Sequence, residues 1–243
     1  MPEGPSLILT REELLPFKGK KVLAATGSSK IDLKRLENKK LLDIRTWGKH
    51  LLLCFDGFTI RIHFLMFGTY YIDSTKDRIP RLSLFFDGRE VNFYATAVRV
   101  VEEPLDELYD WTADVLSDAW DPKGARKKLK DHPAMLVTDA LLNQDIFSGV
   151  GNIIKNEVLY RIKVHPKSLV GELPPKKLTE MISQAREYSF DFLKWKREFT
   201  LRKHWLAHTK KICSRDGDHI LKEYLGTTNR RTFFCNTCQK LYA

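Results

Sequence analysis

The stretch KHLLLCFDGFTIRIHF, residues 49–64, decides how the first half of the chain folds. It is two apolar runs around Asp56-Gly57, and Asp-Gly between such runs signals a hairpin because both turn positions tolerate positive φ. RLSLFFDGREVNFY, residues 81–94, repeats the device around Asp87-Gly88. Upstream, SLILTREELLPF (6–17) has apolar residues at 7, 8, 14 and 15 and is stopped by Pro16, which predicts a short helix packed on a sheet. Residues 1–101 therefore read as a mostly antiparallel β domain with a leading helix.

The segment 102–121 is acidic, is broken by Pro104 and is followed by Pro122, and reads as a linker containing some helix. Beyond it, PAMLVTDALLNQ (133–144) and NIIKNEVLYRI (152–162) have helical spacing, separated by DIFSGVG, and a third helix is expected from Pro175 to Arg197. The organisation expected is α+β, with a β domain, a helical domain over 122–199 and a C-terminal hairpin over 200–243.

The net charge of +10 is unevenly spread. Residues 1–121 carry 17 Lys and Arg against 19 Asp and Glu, whereas residues 122–243 carry 24 against 12. The basic excess lies in the second half and favours a polyanion partner, nucleic acid before an anionic membrane surface. No apolar run approaches the roughly 18 residues of a membrane span, and the N-terminus has no export signal, so an intracellular location is expected. The four cysteines are Cys54, Cys213, Cys235 and Cys238, a spacing that suits a metal site better than disulfides.

Cys235-x-x-Cys238 supplies half of a tetrahedral knuckle, and Cys213-x-x-Asp216 supplies the other half with an acidic second ligand. His219 and His208 are near enough in sequence to compete. Four protein ligands would make a closed, structural zinc site. The hairpin between the knuckles carries Asn229, Arg230 and Arg231, and planar guanidinium forks suit phosphate. SGVGNIIKNE (148–157) runs small residues into a helix, an entry that presents backbone N–H groups to an anion. Asn152 and Lys155 are expected to begin that helix on its exposed side. Lys49 stands at the mouth of a buried strand.

The N-terminus begins Met1-Pro2-Glu3-Gly4-Pro5. Removal of Met1 would leave Pro2 with a free secondary amine. An α-amino group with a pKa of about 7.7 to 8.0 is roughly one-tenth unprotonated at pH 7, against about one part in a few thousand for lysine. With Glu3 as proton donor or acceptor, the pair could attack an aldehyde-like carbon and form a Schiff base.

Taken together, PEGP at the terminus, WGKHLL before the strand, GVGNIIKNEVLYRIKVHP in the second half and a final hairpin ending CNTCQ resemble the formamidopyrimidine-DNA glycosylase and endonuclease VIII family. The resemblance spans the chain and implies a β-sandwich with a leading helix joined to a helix–two-turn–helix unit and a zinc finger, with DNA in the cleft between them. It implies a monomeric enzyme of base excision repair, acting on DNA that contains oxidised bases or abasic sites. Pro2 is then the nucleophile at the sugar C1′ and Glu3 the proton donor that opens the sugar ring. Lys49 matches the lysine that contacts phosphate and assists β-elimination. Asn152 matches the phosphate-binding asparagine, and Arg230 the finger arginine that grips the phosphates beside the lesion and is linked to δ-elimination. His63 falls where some members place a histidine near phosphate.

The region NFYATAVRV (92–100) is taken as the second of two gap-filling loops and lacks the Arg-x-Phe pair of the oxidised-purine branch. FLMFG offers Leu65, Met66 and Phe67 as wedges from one loop, a pattern similar to endonuclease VIII, which favours oxidised pyrimidines. Flipping the damaged nucleotide requires the vacated space to be filled. Two departures stand out: Ser6 occupies a position where many members have a second glutamate, and Asp216 replaces a cysteine. The competing readings are an 8-oxoguanine-preferring glycosylase and a non-catalytic protein of the same shape that only binds damaged DNA.

Overall fold

The computed structural model describes residues 2–243; Met1, whose removal the catalytic reading requires, lies outside them. The chain divides into two compact units, one ending at Tyr109 and the other running from Asp110 to Ala243. The division falls within the segment read as a linker.

In the first unit, helix α1 (Gly4–Leu14) passes into a single 3-10 turn, Leu15–Phe17, that carries Pro16. Six strands follow: β1 (Ala24–Thr26), β2 (Asp43–Trp47), β3 (His50–Phe55), β4 (Phe58–Ile72), β5 (Leu82–Phe86) and β6 (Arg89–Val101). All pairs are antiparallel, in the order β1-β5-β6-β4-β3-β2. Both Asp-Gly pairs form two-residue hairpin loops, closed by Phe55 opposite Phe58 and Phe86 opposite Arg89.

The two long strands turn this one ladder into two leaves. The first part of β4 pairs with β3 and with the end of β6, whereas its last four residues pair with the beginning of β6, which also holds β5. Leu51, Leu53, Ile60 and Ile62 from one leaf share a core with Leu82, Leu84, Val91 and Phe93 from the other. Leu7, Leu14 and Phe17 of the leading helical segment join them, all at most 1–2% exposed. Each such side chain stabilises by about 2 kcal/mol relative to exposure, so the leaves and α1 fold as one body.

The second unit opens with a helix that the sequence pattern did not single out, α3 (Pro122–Lys130), capped by the Asp121 side chain accepting from Lys123 N. Helix α2 (Leu105–Leu108) belongs to the first unit. Then come α4 (Val137–Leu142), α5 (Asn152–Arg161), α6 (Pro175–Arg197) and a hairpin of β7 (Leu221–Leu225) and β8 (Arg230–Phe234). Helix α4 is shorter than its sequence pattern. Leu136 is held extended by a bridge to Leu169, and the Asn143 side chain accepts from Asp145 N at 2.9 Å, a local bond that competes with another helical turn. Val137, Leu141, Phe147, Ile154, Val158 and Met181 are among the residues of the main core. A smaller core gathers Tyr160, Ala207, Cys213, Ile220, Phe233 and Cys235 beneath the hairpin. Among the described residues, no helix is long and apolar enough to cross a membrane.

Candidate functional site

Pro2 is partly exposed and directly precedes Glu3, the N-cap residue of α1. Glu3 is only 3% exposed, so its carboxyl group is held inside the fold at the positive end of a helix dipole. Ser6 N donates to Glu3 O at 2.8 Å, and Ser6 itself is buried. Helix α1 packs on β2 and β3, and Arg11 Nε donates to Ile44 O at 2.7 Å, fastening the later turns of the helix at the start of β2.

Lys49 occupies the two-residue turn from β2 to β3, with Trp47 paired to His50 across it and Gly48 at φ 53°. The β3–β4 register then sets His50 opposite His63, with ring centroids 5.6 Å apart. His50 Nδ1 lies 3.1 Å from the Tyr109 hydroxyl, and Tyr109 packs on Trp47 at 4.8 Å. Burial, followed by the charges of Arg61, His63 and Lys49, pushes His50 down to about 4. His63 is lowered for the same leading reason, with Lys49 and Arg61 adding to it. Both imidazoles are therefore uncharged at neutral pH beside two cations. Sequence reasoning missed His50. The signal was available, because the Asp56-Gly57 loop fixes a register in which residues 50 and 63 face each other.

Leu65, Met66 and Phe67 project from a large bulge in β4. Phe64 pairs with Thr96 and the next pair is Thr69 with Tyr94, so residues 65–68 stand opposite Ala95 alone. Their side chains are 46%, 55% and 80% exposed. Gly68 closes the bulge where a Cβ would meet Phe64 Cα at 2.9 Å and Ala95 O at 3.0 Å. The expected second loop does not exist in that form. Residues 92–100 lie within strand β6, where aromatic and β-branched side chains pair with β4, as Phe93 does with Tyr70 and Val98 with Ile62.

In the second unit the predicted phosphate-binding residues meet at the α5–β8 contact. Asn152 Nδ2 donates to Arg231 O at 2.8 Å, while Arg230 is partly exposed and Arg231 exposed. Lys155 corrects the sequence reading. It is fully buried, not on the exposed side, and its Nζ donates to Thr232 Oγ1 at 2.8 Å. Helical spacing does place Asn152, Lys155 and Asn156 on one face, but that face meets the hairpin; Phe233 N donates to Asn156 Oδ1 at 3.3 Å. Glu157, also missed, accepts from the backbone N–H groups of Leu206, Ala207 and His208 at 2.7–2.9 Å. Burial raises its carboxyl group, and those three donors oppose the rise. His208 is spent on Asn156, 3.0 Å from its Nδ1, and burial with the charges of Lys155 and Arg231 pushes it down to about 4.

Cys213, Asp216, Cys235 and Cys238 offer four ligand atoms, all within 4.8 Å of one another, and could hold a metal ion. Zinc–sulfur bonds of about 2.3 Å in a tetrahedron set two sulfurs about 3.8 Å apart. The Sγ atoms of Cys213 and Cys238 are 3.7 Å apart, and Asp216 Oδ2 lies 3.3 Å from Cys235 Sγ. His219, bridged to Ile212, is not in the group. Tyr160 and Arg215 brace it: the Tyr160 hydroxyl is 3.1 Å from Cys213 Sγ, and Arg215 donates to Cys238 Sγ at 3.3 Å.

The chain's likeness to known proteins matches this division. Residues 1–98 match the formamidopyrimidine-DNA glycosylase N-terminal domain, and residues 111–188 match the formamidopyrimidine-DNA glycosylase H2TH domain. Endonuclease 8-like 3 of Xenopus laevis is 29% identical over 241 residues, covering 90% of this chain, which spans only 38% of that relative's length. The formamidopyrimidine-DNA glycosylase of Lactobacillus helveticus is 26% identical over 283 residues, covering the whole of both chains. A viral DNA glycosylase shares the fold at a TM-score of 0.85 and 21% identity, over 98% of this chain and all of that one. The Lactococcus lactis formamidopyrimidine-DNA glycosylase, bound noncovalently to DNA containing an abasic site, gives 0.85 at 22% identity, over 98% and 99%. With both domain models matched in order across most of its length, the chain belongs to the formamidopyrimidine-DNA glycosylase and endonuclease VIII family.

Proposed function

We propose that the protein is a bifunctional DNA glycosylase and abasic-site lyase of base excision repair. The observation that carries this is the N-terminus, where Pro2 stands beside Glu3, an acidic residue only 3% exposed at the head of α1. Once Met1 is removed, the Pro2 amine attacks C1′ of the flipped nucleotide. The N-glycosyl bond breaks and the base leaves. Glu3 protonates the ring oxygen as the sugar opens, giving a Schiff base between Pro2 and C1′. Loss of a C2′ proton to solvent then breaks the C3′–O bond and expels the 3′ phosphate, loss of the C4′ proton likewise breaks the C5′–O bond and expels the 5′ phosphate, and water hydrolyses the Schiff base to free Pro2. Lys49, beside the uncharged His50 and His63, supplies fixed positive charge to phosphate without competing imidazolium groups, which supports its role in β-elimination.

Asn152 and Arg230 would bind backbone phosphate, Arg230 also assisting the second elimination. Cys213, Asp216, Cys235 and Cys238 would hold a structural zinc ion, whose contribution is to cross-link the hairpin base. Leu65, Met66 and Phe67 would fill the stack after flipping. An apolar wedge depends little on the orphaned base, which favours oxidised pyrimidines with weak opposite-base discrimination. The protein would act as a monomer inside the cell.

Excision assays on matched duplexes test the reading. Thymine glycol or 5-hydroxycytosine should be released faster than 8-oxoguanine opposite cytosine, with strand cleavage following. Faster 8-oxoguanine release with strong selectivity for cytosine opposite would overturn the lesion class, and binding without release or cleavage would overturn catalysis.

A further inference from the structure

The hairpin that carries Arg230 is clamped on both sides of that residue by side chains from two different helices. On the near side, the Asp139 carboxylate of α4 accepts from Thr227 N at 3.0 and 3.1 Å and from Thr227 Oγ1 at 3.3 Å. On the far side, Asn152 of α5 holds Arg231 O at 2.8 Å. Arg230 lies between these anchors, paired with Leu225 at the mouth of the loop.

The chain is adapted to the Asp139 contact. Gly226 has φ 75°, and a Cβ there would sit 2.1 Å from Asp139 Oδ1, so only glycine lets the carboxylate reach the loop backbone. Asn229 is also left-handed, at φ 46°, and its N–H donates to Gly226 O at 3.1 Å. A four-residue loop with two left-handed positions has few internal bonds to fix it, and the carboxylate supplies the missing restraint. The lower part of β8 is held independently by Lys155 on Thr232 and Asn156 on Phe233. Removing Asp139 would therefore free the tip without releasing the strand.

We propose that Asp139 is a positioning residue that sets the Arg230 guanidinium for phosphate by pinning the hairpin tip at Thr227. The inference rests on the reading of Arg230 as a phosphate ligand. A guanidinium held in place loses less side-chain and loop entropy on binding, so an acidic residue here strengthens binding to a polyanion.

The test is a double-mutant cycle on the full protein, with affinity for a duplex carrying a stable abasic-site analogue and its salt dependence as readouts. Arg230→Ala should weaken binding about tenfold and lower the salt slope by about one. Asp139→Ala should weaken it three- to tenfold with an unchanged melting midpoint, and Asp139→Asn, which keeps an acceptor for Thr227 N, should recover most of the loss. The double variant should bind within about twofold of Arg230→Ala alone. Multiplying losses in the double variant, tighter binding by Asp139→Ala, or no recovery by Asp139→Asn would overturn the positioning role while leaving Arg230 in place. If Arg230→Ala alone binds like the parent, the Arg230 assignment fails first and this inference fails with it.

Discussion

The Lys49 turn and the Arg230 hairpin both present cations that the proposed reaction uses, yet they are held by different means. Lys49 sits in a two-residue turn whose position follows from backbone pairing through β2, β3 and β4, with two leaves of apolar core behind it. Arg230 sits on a two-stranded hairpin, too small to be stable alone. Its support comes from Asp139, Asn152, Lys155 and Asn156 on two helices and from four ligand atoms at its base. The difference teaches where each region is vulnerable. The first fails only if a hydrophobic core is opened, whereas the second fails when a few polar contacts are lost or, with zinc bound as proposed, when that ion is removed.

Metal removal should separate the two most sharply. A chelator, or Cys235→Ser, is expected to lower affinity for abasic-site DNA by about a hundredfold or more, because several charge contacts depend on the hairpin. Hydrogen exchange should rise across residues 213–238 and stay unchanged across residues 50–64. Equal loss of protection in both regions would erase the contrast.

Acid should act on both. His50 and His208 are each pushed down to about 4 in the folded state, against about 6.5 when unfolded. Between those values the unfolded chain binds the extra proton, so stability is lost as pH falls from about 6.5 to about 4 and levels off below that. Each histidine should contribute on the order of 2 kcal/mol after allowance for partial solvent screening. Denaturant titrations at stepped pH check this, and His50→Asn should flatten only the first unit's share. A stability that rises on acidification would reverse the sign and the assignment.

The smallest effect is expected at the bulge. Phe67 is 80% exposed, so Phe67→Ala should leave the melting midpoint within about 1 °C while slowing release of a paired oxidised base several-fold. Single-stranded substrate, which needs no gap filled, should be processed at the parent rate. A lower melting midpoint would make Phe67 part of the fold instead.

How much of this was legible in the sequence follows the same contrast. The two Asp-Gly pairs are local signals, and through them the hairpins, the register and the facing of His50 and His63 could be read. The projection of Leu65, Met66 and Phe67 was legible only through the family resemblance; by pattern alone these side chains look like any apolar strand, and the bulge that exposes them shows only in the count of residues opposite Ala95. Lys155 was placed on the wrong side for a physical reason. Helix α5 is buried around most of its girth, with Ile154, Val158 and Leu159 on the core and Lys155, Asn156 and Glu157 against the hairpin and residues 206–208. A helix buried on its polar side too gives no amphipathic pattern from which an exposed face can be chosen. Asp139 went unnoticed because its partner is 88 residues away.

The central claim is that the chemistry begins at the Pro2 amine, and borohydride trapping tests it most directly. Incubation with abasic-site DNA and borohydride should yield a covalent complex whose adduct maps to the N-terminal peptide of a chain lacking Met1. A chain that retains Met1 should give none. A stable adduct on Lys49, or trapping undiminished by the retained methionine, would contradict the account.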